Sequence, residues 1–138
     1  MGTIGRATRL AHYLKQAIGE TFAKFGLQPG EFDVLATLRR SGSPYQLSPT
    51  ELFKSMMVSS GTMTHRIDRL EKAELVERIP DPSDRRGTLI HLTEKGFNLI
   101  EAAVTAHVKN EHRILSALET SEIEDFTRLL RKLLAALE

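Results

Sequence analysis

A mainly α-helical (α+β) fold carrying one small β-hairpin is predicted by three observations. Apolar residues recur at three- and four-residue spacing over most of the chain, the period of an amphipathic helix. Between residues 75 and 92 that period breaks, and two short runs, 75–79 and 88–92, flank the turn Asp81-Pro82-Ser83-Asp84-Arg85-Arg86-Gly87. Helix-start signals, in which a serine or threonine precedes the apolar periodicity and a glutamate follows three residues on, stand at Ser48 and Ser121.

The first helix covers about residues 3–24, with Ile4, Ala7, Ala11, Leu14, Ile18, Phe22 and Phe25 on one face. Gly26 and the Pro29-Gly30 pair punctuate its end. A second helix follows over about residues 31–40 with Phe32, Leu35 and Leu38 inward, and Gly42 and Pro44 stop it. Ser48 opens the third: Pro49 takes the first helical position and Glu51 completes a capping box, with Leu47 and Leu52 placed as a hydrophobic staple. That helix ends near Ser55, and Met56-Met57-Val58 makes a tight apolar connection. Ser59 caps a fourth helix, residues 60–73, with Met63, Ile67 and Leu70 inward. After the paired strands, Thr93 caps a long helix from Glu94 to about Ala117. Ser121 and Glu124 read as a further capping box, opening a last helix with Ile123, Phe126, Leu130, Leu133 and Leu137 inward.

A chain of 138 residues suits one well-buried domain and is short for two, so residues 1–138 are read as a single domain. The absence of cysteine excludes disulfides, thiol redox sensing and thiolate metal sites. No apolar run approaches the roughly 18 residues of a membrane span and no signal-type segment opens the chain, so a cytoplasmic protein with no membrane partner is expected. The formal net charge is +1, and residues 54–95 carry eight Lys and Arg against seven Asp and Glu. Bulk charge thus gives no nucleic-acid signature. Any grip on a duplex rests on where individual charges sit.

Two short helices joined by a tight turn and followed by a hairpin describe a winged helix-turn-helix, here about residues 31–93. The terminal helices, about 3–25 and 94–138, are too apolar to be covered by that small unit alone. The simplest cover is a second copy, and a twofold homodimer would present two recognition helices to one duplex.

On the fourth helix, at about 100° per residue, the arc opposite Met63, Ile67 and Leu70 holds Gly61, His65, Asp68 and Lys72. Thr62, Thr64 and Arg69 lie on its flanks, with Arg66 nearer the core boundary. Its start, Ser59-Ser60-Gly61-Thr62, is small, hydroxylated and free of acid. Such a helix N-terminus suits phosphate, because its free N–H groups and its dipole both favour anions. His65, Arg66 and Arg69 are long enough to reach base edges or phosphates. Taken alone, this helix also fits an ordinary solvated face. The turn shifts the balance. Hairpin tips usually carry Asn, Asp and Gly, whereas here Arg85 and Arg86 stand beside Asp84, and Gly87 lets the chain turn back. A protruding arginine can enter a narrow minor groove, where the negative potential is strongest. Asp84 is placed to orient one guanidinium through a paired hydrogen bond. A solubilising loop is the plainer reading of the tip in isolation.

The run from Ser59 through Glu71, the segment Leu75-Val76-Glu77-Arg78, the turn from Asp81 to Arg86, Leu92-Thr93-Glu94-Lys95-Gly96 and the upstream Phe32-Asp33-Val34-Leu35 together resemble the MarR (multiple antibiotic resistance regulator) family of bacterial transcription factors. The resemblance spans nearly the whole chain in order and length. It implies a homodimeric winged-helix repressor, in some members an activator, on a pseudo-palindromic operator in double-stranded DNA. It also implies release by a small ligand, often an aromatic acid or phenol. By position it makes Arg85 the minor-groove residue, with Asp84 and Arg86 shaping the wing. Thr62, His65, Arg66 and Arg69 fall where the family reads the major groove. The family usually has Gly where this chain has Glu74. The left-handed helix ending that Gly permits costs another residue on the order of 1–2 kcal/mol.

Two polar clusters stand outside this scheme. Arg6, Arg9, His12 and Tyr13 gather on the first helix, and His107, Glu111 and His112 accompany the apolar seam of the long helix. Three readings are open. One is a polar network inside a dimer interface. Another is an anion pocket in which Arg6 or Arg9 meets a ligand carboxylate while His12 and Tyr13, with His107, fix its orientation. This resembles aromatic-acid-responsive members of the family. The third is a zinc site of His107, Glu111 and His112, with His12 as a further ligand. The spacing defines no metal site, and no metal or cofactor is assigned. The five histidines are scattered, and neither a nucleotide-binding glycine loop nor a cysteine nucleophile is present, so an enzyme is not indicated. The leading expectation is a ligand-responsive, sequence-specific DNA-binding regulator. Its alternative is a winged-helix module for protein–protein contact without DNA binding, which the near-neutral charge favours and Arg85-Arg86 oppose.

Overall fold

Capping residues set the helix boundaries in the computed structural model, which describes residues 2–56 and 58–138. Among them the order is α1 (Thr3–Ala23), α2 (Pro29–Arg40), β1 (Gln46–Leu47), α3 (Pro49–Met56), α4 (Ser60–Lys72), β2 (Val76–Pro80), β3 (Thr88–Leu92), α5 (Glu94–Ile114) and α6 (Thr120–Leu137), with a 3-10 turn at Leu115–Ala117. The capping box at α3 forms as expected: Glu51 N–H donates to Ser48 Oγ at 3.1 Å and Ser48 N–H to Glu51 Oε1 at 3.2 Å. Ser59 and Thr93 cap α4 and α5 through the amides of Thr62 and Gly96. Met57, in the middle of the expected apolar connection, lies outside the described residues.

Two helix starts differ from expectation. Helix α2 begins at Pro29, because the Gln28 and Glu31 side chains form a reciprocal box and proline is pre-set for the first helical position. The Pro29-Gly30 pair therefore opens a helix instead of separating two. Helix α6 starts at Thr120, capped by the box of Glu119 and Glu122, not by Ser121 and Glu124. The sheet also gains a strand. Residues Gln46 and Leu47 pair antiparallel with His91 and Ile90, giving the order β1-β3-β2.

The core lies where α2, α4 and α5 meet the sheet. Leu35, Leu38, Leu52, Leu70, Ile90 and Ile100 are fully buried there. Each such side chain contributes about 1.5–3 kcal/mol by leaving water. The expected inward faces of α2 and α4 are confirmed, with Phe32, Leu35, Leu38, Met63, Ile67 and Leu70 all buried. Glycine allows the closest junction. A Cβ on Gly96 would stand 2.0 Å from the Leu75 carbonyl oxygen, so only glycine lets the first turn of α5 press against the α4–β2 corner.

The terminal helices are built differently. The seam of α1 is covered only in its second half: Ile18 packs on the core and Phe22 stacks on Phe32 at 4.0 Å, while Ile4 and Leu10 are exposed. No residue of α6 is buried. Leu130, Leu133 and Leu137, expected inward, are exposed together with Leu129 and Leu134. Ala7 and Leu10 of α1 and Phe126, Leu129 and Leu133 of α6 line an apolar groove between the two helices. Among the described residues, no helix is long and apolar enough to cross a membrane.

Candidate nucleic-acid interface

The wing is a self-bonded loop. Asp81 N–H donates to the Gly87 carbonyl at 3.0 Å, Asp84 N–H to the Asp81 carbonyl at 3.2 Å, and Gly87 N–H to the Asp84 carbonyl at 3.0 Å. The Asp81 carboxylate accepts from both the amide and the hydroxyl of Ser83, at 2.9 and 2.8 Å. The Asp84 carboxylate accepts from the Arg86 amide at 3.1 Å. The expectation that Asp84 orients a guanidinium is corrected, since it holds the backbone instead. Among the described residues neither Arg85 nor Arg86 has an ion-pair partner, and both are exposed.

Helix α4 is held from two sides. Arg78 on β2 reaches back to Asp68 at 2.6 Å and to Glu71 at 2.5 Å. The hydrogen bond to Asp68, with the charges of Glu71 and Asp68, raises the Arg78 pKa above the ordinary arginine value. Asp68 thereby ties the helix to the hairpin. On the other side Arg69 Nε lies 3.2 Å from Oε2 of the buried Glu31. Arg66 lies across the first turn of α2, where a Cβ on Gly30 would fall 2.2 Å from its guanidinium carbon. Partial burial raises the nearby Asp33 carboxyl above its usual range, opposed by Arg66, Arg40 and His107.

The exposed start of α4 carries Ser59, Ser60, Gly61, Thr62, Thr64 and His65. Ser59 Oγ donates to Thr62 Oγ1 at 2.8 Å, and Thr64 donates to the Ser60 carbonyl at 2.9 Å, so both threonine rotamers are fixed. Of the predicted site residues, Ser59, Ser60, Thr62, Thr64 and His65 on α4 and its cap and Asp84, Arg85 and Arg86 at the wing tip are exposed. Arg66 and Arg69 instead lie against the first turn of α2.

The joint between helix and wing turns on Glu74. Its φ is 63°, the left-handed region. Leu75 N–H bonds the Leu70 carbonyl at 3.0 Å and Glu74 N–H the Glu71 carbonyl at 2.9 Å, the Schellman pattern that usually takes glycine. Offsetting bonds surround it. Thr93 Oγ1 donates to the Glu74 carbonyl at 2.7 Å, and Lys95 Nζ donates to the Ala73 carbonyl at 3.1 Å.

The second cluster divides. Arg6, Arg9, Leu10 and Tyr13 line a shallow depression on α1, with the Arg9 guanidinium 5.8 Å from the Tyr13 ring centroid and His12 edge-on to Tyr13. His107 lies elsewhere in the chain, against Phe22 and Phe32, with Nε2 3.3 Å from Glu111 and a buried Nδ1 that has no partner among the described residues. Ten residues of helix, about 15 Å, separate His12 from Phe22, so one chain does not gather the five residues into one pocket. Among the described residues, no three His, Asp or Glu converge as metal ligands.

A helix-turn-helix on a three-stranded sheet, with an arginine-tipped hairpin, defines a winged-helix DNA-binding regulator. The MarR family model matches residues 27–88. Over 130 residues the chain is 42% identical to the HTH-type transcriptional regulator PecS of Dickeya dadantii (strain 3937), covering 94% of this chain and 78% of that protein. It is 30% identical over 131 residues to the multiple antibiotic resistance protein MarR of Escherichia coli (strain K12), covering 91% and 89%. The crystal structure of a mutant MarR from E. coli complexed with operator DNA superimposes with a TM-score of 0.82 at 28% identity, over 95% of this chain and 93% of that one. The chain belongs to the MarR family. These likenesses to transcriptional regulators favour DNA binding over the protein-contact alternative.

Proposed function

We propose that two copies of this chain pair through α1 and α6 and bind a pseudo-palindromic operator as a cytoplasmic repressor, released by a small aromatic or anionic ligand. The wing carries the reading. Its backbone is closed on itself, and among the described residues its two adjacent, exposed arginines have no carboxylate partner. Arg85 enters the minor groove, with Asp84 and Arg86 shaping the tip. Ser59, Ser60 and Thr62 meet phosphate at the start of α4, while Thr64 and His65 lie toward the major groove. Pairing of copies rests on the exposed leucines of α6 and the apolar groove beside α1. The effector reading rests on Arg6 and Leu10, which line both the α1 depression and that groove. A ligand seated there touches the surface that sets the spacing of the two recognition helices.

Selection from a random duplex library should recover inverted half-sites about 10 base pairs apart, centre to centre. Sedimentation should give twice the 15.5 kDa chain mass. Recovery of no common site would remove the reading. A melting-temperature screen of aromatic acids tests the effector, which at 100 times its Kd should add about 2.7 kcal/mol.

A further inference from the structure

We propose that Glu31 is a positioning residue for DNA binding, holding Arg69 out of the contact surface as a strut between α4 and the first turn of α2. The proposal rests on the operator-binding reading above. Glu31 is 3% exposed, and both of its carboxylate oxygens are engaged. Oε1 accepts from the Gln28 amide at 2.9 Å, closing the cap of α2, and Oε2 faces Arg69 Nε at 3.2 Å. The Arg69 side chain is 45% exposed, so only the Glu31 half of the pair is buried, and losing Arg69 leaves that buried carboxylate without its counter-charge, which is unfavourable. For Arg69 to swing to a phosphate it would have to strand Glu31 in that state. Among the described residues Arg85 has no ion-pair partner, so it reaches the duplex without that penalty. The two arginines do different work: one contacts DNA, and the other fixes the helix. Arg78 braces α4 from the opposite side through Asp68 and Glu71, so the recognition helix is held between α2 and β2.

The test is the salt dependence of binding to the duplex selected by the wild-type protein, read by fluorescence anisotropy from about 50 to about 200 mM KCl. A variant that no longer neutralises one phosphate has a slope of log affinity against log salt that is shallower by about 0.9. Arg85→Ala should show that change. Arg69→Ala should weaken binding by about fivefold or more with the slope unchanged. The double variant Glu31→Gln/Arg69→Gln keeps the cap acceptor without a buried charge, which guards against simple unfolding. It should weaken binding to the selected duplex by a similar factor and leave binding to a scrambled duplex unaltered. A shallower slope in Arg69→Ala, or unchanged affinity in both variants, would overturn the proposal while operator binding by the wild type stands. A wild-type protein that selects no duplex would overturn the operator reading and this proposal with it.

Discussion

In the winged-helix body Val34, Leu35, Leu38 and Ile90 are wholly buried, whereas in α6 Leu133 and Leu137 are 60% and 84% exposed. Both regions carry amphipathic patterns of the same kind. The body finds its partner within the chain, because α2 is surrounded by α4, α5 and the sheet. The stripe on α6 finds little cover there. Periodicity therefore reports which residues seek burial and is silent on what buries them. The body is the self-sufficient unit that presents α4 and the wing, and the terminal layer is a surface in want of a partner.

Core truncation should break the comparison most strongly. Leu35→Ala should cost about 3 kcal/mol in urea unfolding, independent of protein concentration. Leu133→Asp should act oppositely: the body stays folded by circular dichroism, sedimentation shifts to the monomer, and operator affinity falls about a hundredfold because the second half-site no longer binds as part of one molecule. Arg85→Ala should weaken operator binding about tenfold, or about 1.4 kcal/mol, with the melting temperature unmoved. Glu74→Gly should sharpen the picture at the joint by raising stability about 0.5–1 kcal/mol. Relief of the left-handed strain exceeds the added chain entropy and the loss of the exposed ion pair that Glu74 Oε2 makes with Lys95 Nζ at 4.0 Å. A stability loss there would mean that the Thr93 and Lys95 bonds depend on the Glu74 side chain.

Much of this was legible in the chain. Ser48 with Pro49 and Glu51 marks a helix start because the cap is local, and the inward faces of α2 and α4 follow from spacing alone. Local patterns misled where two overlapped. Glu119–Glu122 and Ser121–Glu124 both fit a capping box, and the first takes the helix. Strand β1 left no signal, since two residues cannot show alternation and their order comes from the register of β3. The long-range ion pairs are invisible for the same reason. Nothing in the spacing of Arg69 and Glu31, or of Arg78 and Asp68, announces that tertiary packing brings them together. Candidate site residues are therefore recognisable by type at the wing, where the tip is local. On α4 they were less so, because the fate of Arg66 and Arg69 depends on α2.

The hydrogen-bonded wing has a kinetic consequence. A tip that must order itself on contact makes the first collision unproductive until the loop closes. Here Asp81 and Asp84 have already closed it, so encounter and engagement merge into one step. Association should then follow the attraction between the arginine tip and the duplex, falling with ionic strength. Sequence preference should show itself in how long the complex lasts.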